Sequence, residues 1–97
     1  MNLGYIVASR EVTENGKSIG YMYRELTEAP DDSGWRVFSG EETQDYADDP
    51  GNFAMYNAST IVGLDPSIAP CLDASAPVAF ARDDSGHFVD VSGEVRG

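Results

Sequence analysis

His87 is the one histidine of the chain and Cys71 the one cysteine, so any imidazole or thiol chemistry must run through these two residues. Covalent catalysis needs a nucleophile, a base within hydrogen-bond reach and a group that orients the base. Serines and carboxylates are plentiful, but no nucleophile elbow or comparable motif ties one of them to His87. Standing after Gly86 at the start of an apolar stretch, His87 reads as an exposed, turn-flanking side chain. Cys71, between Pro70 and Leu72, reads as a small buried apolar residue. A single cysteine also leaves no internal disulfide and no cysteine-based zinc site. Gly16, Gly20, Gly34 and Gly40 fall at turns or within strands, which excludes a phosphate loop or dinucleotide fingerprint. No catalytic residue, cofactor or metal is assigned. One alternative stays open, a small ligand-binding or enzymatic pocket near His87 and Arg24.

The most unusual feature is a run of carboxylates. Between Glu25 and Asp49 the chain carries Glu25, Glu28, Asp31, Asp32, Glu41, Glu42, Asp45, Asp48 and Asp49 against Arg36 alone. A calcium loop would need oxygen ligands alternating around a tight turn and a distal bidentate Glu, and the 45–51 segment lacks both. Two readings remain, a solvated face and a binding surface. Trp35 and Tyr46 stand within the run, and aromatic side chains are the ones that most often anchor interfaces. The candidate partner-binding set is therefore Trp35, Glu41, Glu42, Asp45, Tyr46, Asp48 and Asp49.

The whole chain follows the same sign. Its 97 residues carry 17 acidic and 6 basic side chains, a formal net charge of −11. Such a surface repels phosphate backbones and anionic lipid, which argues against nucleic-acid and membrane partners. It steers a basic protein partner inward instead, with an on-rate that falls as salt rises. The start of the chain lacks the basic and apolar segments of a signal peptide, so a cytoplasmic location is expected. The length fits one domain, 1–97, with a core of about 4–92 and a frayed tail at 93–97.

These residues must be positioned by short elements. Tyr5–Ser9 reads as a strand, and Asn15-Gly16 as a hairpin turn leading into a return strand over about 18–26. That strand would set Ile19, Tyr21 and Tyr23 on one face and Gly20, Met22 and Arg24 on the other. A turn at 30–34 precedes a third strand, Trp35–Phe38. Ser39 and Glu42 form a capping-box pattern that predicts a helix over about 41–48, closed before Asp49-Pro50. Phe53–Tyr56 is an extended segment, Asn57 caps a helix through Leu64, and Asp65-Pro66 starts another turn. Val78–Arg82 and Phe88–Val91 make a hairpin around Asp83-Asp84-Ser85-Gly86, which repeats the turn chemistry of Asp31-Asp32-Ser33-Gly34. The fold expected is α+β: a single domain with a mostly antiparallel sheet of five or six strands and two or three short helices on one face and at an edge. Tyr5, Val7, Ile19, Tyr21, Trp35, Val37, Phe80 and Val89 are the expected buried positions, with Trp35 also a candidate interface anchor.

The strings Gly20-Tyr21-Met22-Tyr23-Arg24-Glu25 and Asp32-Ser33-Gly34-Trp35-Arg36-Val37-Phe38-Ser39-Gly40-Glu41-Glu42 resemble the immunity-protein-33 family of bacterial polymorphic toxin systems. The segments Asp48-Asp49-Pro50-Gly51-Asn52, Ile61 with Asp65-Pro66-Ser67-Ile68, and Phe80–Arg82 look like the same pattern. One departure is Ala81, where the family pattern often has an acidic residue. The resemblance implies a non-catalytic antitoxin that protects its producer by binding a cognate toxin. A basic toxin surface would complement the acidic run.

Overall fold

Trp35 and Val37 are fully buried, whereas Arg36 and Phe38 between and after them are half-buried, and this alternation along one strand divides the molecule. In the computed structural model, which describes residues 4–92, the strands are β1 (Tyr5–Ser9), β2 (Tyr21–Arg24), β3 (Asp32–Phe38), β4 (Phe53–Asn57), β5 (Val78–Arg82) and β6 (Phe88–Asp90). They form one sheet in the order β4-β1-β3-β2-β5-β6. β1 runs parallel to β3, and the other neighbours are antiparallel. The helices are α1 (Arg10–Thr13), α2 (Gln44–Ala47) and α3 (Ala58–Leu64), with 3-10 segments at Pro50–Asn52 and Pro66–Cys71. The α+β class and the six-stranded sheet agree with expectation. The tail 93–97, expected to fray, lies outside the described residues.

One face of the sheet is covered. Val12 of α1, Ile61 of α3, and Ile68 and Leu72 from the second 3-10 segment and its cap close on Ile6, Ala8, Met22, Trp35 and Val37. Trp35 donates its indole N–H to Leu72 O (3.3 Å) and stacks on Phe80 at 6.2 Å, which answers the need of a buried indole for a polar partner. The Arg24 guanidinium lies 5.8 Å from the Trp35 ring and donates to Ser33 O and Ala74 O. Arg82 ties further segments together, bonding Ile19 O, Gly86 O and the Asp65 carboxylate while lying 4.2 Å over Phe88.

Three expectations need correction. Asn15-Gly16 does not join antiparallel strands, because β3 lies between β1 and β2. Ser9 instead accepts from Glu11 N and starts α1, and Asn15 N and Lys17 N bond back to Arg10 O and Glu11 O. The positive φ of Gly16 (72°) thus ends a helical turn. Next, Ser39 and Glu42 do interact as the capping pattern requires, Glu42 accepting from Ser39 N (2.9 Å). Gly40 between them sits at φ 93°, outside helical space, so they close a turn, and the helix begins later with Thr43 as its cap. Finally, the buried face of β2 is the opposite one: Met22 is fully buried, while Tyr21 and Tyr23 line the uncovered side. Tyr5 and Val7 share that side and are half-buried, and Val89 is exposed; Ile19, Trp35 and Val37 are core as expected, and Phe80 packs against it.

The inverted face sets a direct test. Met22→Ala should cost about 2–4 kcal/mol because it opens a cavity in the core. Val89→Ala, at a surface position, should stay within about 0.5 kcal/mol. Urea unfolding of the two variants checks the assignment, and the reverse ranking would contradict it.

Candidate functional site

With α1, α3 and the 66–71 segment packed on one side, the other sheet face carries only the one-turn α2 at one end, and its cross-strand rows can be read from the register. One row runs Met55, Val7, Arg36, Tyr23, Ala79. The next runs Phe38, Tyr21, Ala81, Val89. Neighbouring side chains in such rows are close enough to touch. Phe38 stacks on Tyr23 (5.9 Å) and lies beside Tyr21 (6.0 Å), and Phe53 meets Phe38 edge-on at 5.6 Å. Tyr46 of α2 then meets Phe53 edge-on at 6.1 Å. Five half-buried rings thus form one continuous patch, and a groove lined by Gly20, Tyr21, Phe38, Gly40, Glu42 and Ala47 runs beside it.

Arg36 is the one cation in these rows, and it is neutralised in place. Two of its nitrogens hold the two Asp32 oxygens at 2.8 Å each, and Nε donates to Glu25 at 2.8 Å. A bidentate guanidinium–carboxylate pair is among the stronger charge-assisted contacts, and both partners are largely shielded from water. Arg36, with the Gly34 N–H and Thr27 also donating, holds the Asp32 carboxyl well below the usual range despite its burial. Burial, with Glu25 nearby, raises the Tyr23 phenol above its ordinary value.

The expected site residues divide into three groups. Trp35 is fully buried and is corrected from anchor to core residue, out of a partner's reach. Glu42 turns inward: burial pushes its carboxyl up, but the Ser9 and Ser39 donors outweigh this and hold it low. Tyr46 joins the aromatic patch, and Glu41, Asp45, Asp48 and Asp49 are exposed around its α2 end. Among these, Glu41 pairs with Lys17 (2.9 Å), Asp48 accepts from Gln44 and Asp49 from Gly51 N. Sequence reasoning missed Tyr21, Tyr23, Phe38 and Phe53 as surface residues. Their alternation with Met22 and Val37 carried the signal, since two aromatic-bearing faces cannot both be covered by so few helical residues.

The structure does not assemble the alternative pocket. Arg24 pairs with Val78 at one end of β5, and His87 precedes Phe88, which pairs with Arg82 at the other end. His87 is exposed, its backbone N–H bonded to Asp83. Cys71 is half-buried, and burial pushes its thiol up, away from the reactive thiolate. Among the described residues no group of three or more His, Cys, Asp or Glu could hold a metal ion.

The Asp32–Arg36 pair predicts a pH dependence. Because Asp32 titrates lower in the folded chain than its unfolded value of about 4, its stabilisation is complete above that value. It is lost as pH falls through the lower, folded value. The unfolding free energy should therefore drop in acid, and Asp32→Asn should be less stable at neutral pH yet fall less steeply below about pH 4. Urea midpoints from neutral to strongly acid solution measure this, and parallel curves would contradict it.

Comparison with curated proteins and with solved structures finds no match. The family model for the immunity protein Imm33 domain matches residues 6–92, from the second residue of β1 to beyond the end of β6. The chain belongs to the Imm33 immunity protein domain family.

Proposed function

We propose that this chain neutralises a cognate bacterial toxin, in the cytoplasm of the producing cell, by binding it directly through the open sheet face and without catalysis. Family membership supports the toxin-neutralising role. The single observation that carries the binding mode is the five-ring patch bordered by Glu41, Asp45, Asp48 and Asp49, with its one cation, Arg36, already paired. Half-buried Tyr and Phe side chains supply contact area at low entropic cost. The carboxylates attract a basic toxin surface and raise its rate of encounter.

Rim charges act singly by only about 0.2–1 kcal/mol each, so the charge test needs several at once. Replacing Asp45, Asp48 and Asp49 together with Asn should slow association and flatten its salt dependence, leaving dissociation nearly unchanged. Asn at position 49 keeps a side-chain oxygen for the Gly51 N–H. Tyr46→Ala should act mainly through faster dissociation, at a cost of ~2 kcal/mol. Binding kinetics against the protein encoded beside this chain's gene, the candidate toxin, at low and high salt, read both effects. An unchanged on-rate would return the acidic run to a solvated face.

Non-catalytic action makes a separate prediction. His87→Ala, at an exposed loop position, should leave protection of toxin-exposed cells intact. Loss of protection in a stably folded His87→Ala protein would overturn neutralisation by binding alone.

A further inference from the structure

The two edges of the sheet are built differently. β6 has three residues, includes Asp90, and follows a loop holding Asp83 and Asp84. Short length and charge are the usual means of keeping an edge from pairing with another chain. β4 has five residues, Phe-Ala-Met-Tyr-Asn, with no charge and no proline. Its register with β1 is unbroken from Phe53 to Asn57, so no bulge twists it away. Among the described residues β1 is its only neighbour.

The direction of the free backbone groups follows from β1. Tyr5 donates its N–H to Asp31 O (2.8 Å) and its carbonyl accepts from Ser33 Oγ (2.6 Å), both on the β3 side. In an antiparallel ladder, opposed residues alternate between directing both backbone groups toward each other and directing both away. Asn57, opposite Tyr5, therefore points away from β1, and so does Met55 two residues earlier. Met55 offers an outward N–H and C=O at the middle of the edge. Its side chain is 66% exposed and continues the row of Val7, Arg36 and Tyr23 on the open face.

We propose that the β4 edge takes up an extended strand of the toxin as a seventh strand of the sheet, a deepening that rests on the immunity reading above. Backbone pairing at Met55 supplies the register, and alternate side chains of the incoming strand lie over Met55 and Phe53. Charge selects the occupant. Asp45, Asp48 and Asp49 stand just before the Phe53 end of β4 and are exposed, so a strand flanked by Lys or Arg is attracted there. A second copy of this chain brings another net charge of −11 to the same edge and is repelled.

Met55→Pro is the selective variant, because it removes an outward N–H and no hydrogen bond to β1, the one setting in which edge strands accept proline. Met55→Leu keeps the backbone donor and serves as its control. With the protein encoded beside the gene, the candidate toxin, as probe, Met55→Pro should weaken binding by about tenfold, the worth of one buried hydrogen bond, while Met55→Leu binds as the parent does. Amide hydrogen exchange on the unaltered protein, which needs no variant to fold, should show the Met55 N–H slowed on toxin binding. Toxin binding with unchanged Met55 exchange would overturn the edge proposal and leave the immunity reading standing. No binding of that toxin at all would sink both. A dimer of the free protein with Met55 already protected would assign the edge to a second copy and overturn the proposal.

Discussion

The indole of Trp35 lies against Phe80 of β5, bonded to Leu72 at the end of the second 3-10 segment, and the one-sided core depends on it. Burying about 200 Å² of aromatic surface at roughly 25 cal/mol/Å² contributes on the order of 5 kcal/mol. That is comparable with the whole net stability of a small domain. The helices that close over Trp35 are short, α3 being the longest at seven residues, and they suffice for one sheet face only. An uncovered face is therefore a consequence of where the indole points, not a separate feature.

The proposed binding mode rests on how that open face is finished. A plain solvated sheet would alternate apolar-in with polar-out. Here the outward positions of β2, β3 and β4 hold Tyr21, Tyr23, Phe38, Phe53 and Met55, with the polar Asn57 at the far end of β4 and the one charged group of the rows, Arg36, locked by Asp32 and Glu25. Exposed carboxylates of the 41–49 segment stand at the Tyr46 end of this patch. An apolar centre with a charged border is the anatomy of an interface, the centre setting residence time and the border setting encounter rate. Binding to a toxin accounts for both halves, whereas a solvated acidic face accounts for the border alone.

Much of the scaffold could be read from local chemistry. The β5–β6 hairpin and the Asp65-Pro66 start follow from turn and cap residues acting on their immediate neighbours; α3 does begin after Asn57, but the Asn57 side chain makes no cap hydrogen bond there. What escaped was set by distant partners. Asn15-Gly16 has the local chemistry of a hairpin, but β3 pairs in parallel with β1 and occupies the place the return strand would need. Met22 and Tyr21 are equally plausible core residues along β2. The choice between them is made by Val37 and Phe80, which flank Met22 on the covered side. The acidic border and Tyr46 were legible because they are contiguous in sequence; the aromatic centre was not, because three separate strands build it.

The most direct test of the account is a map of amide chemical-shift changes in this protein as the protein encoded beside its gene, the candidate toxin, is titrated in. Changes should concentrate on the open face and its border, at Tyr23, Phe38, Tyr46, Phe53 and Met55, with Ile61, Ile68 and Leu72 on the covered side little altered. A map centred instead on α3 and the 66–71 segment would contradict the claim that the uncovered sheet face is where this immunity protein meets its toxin.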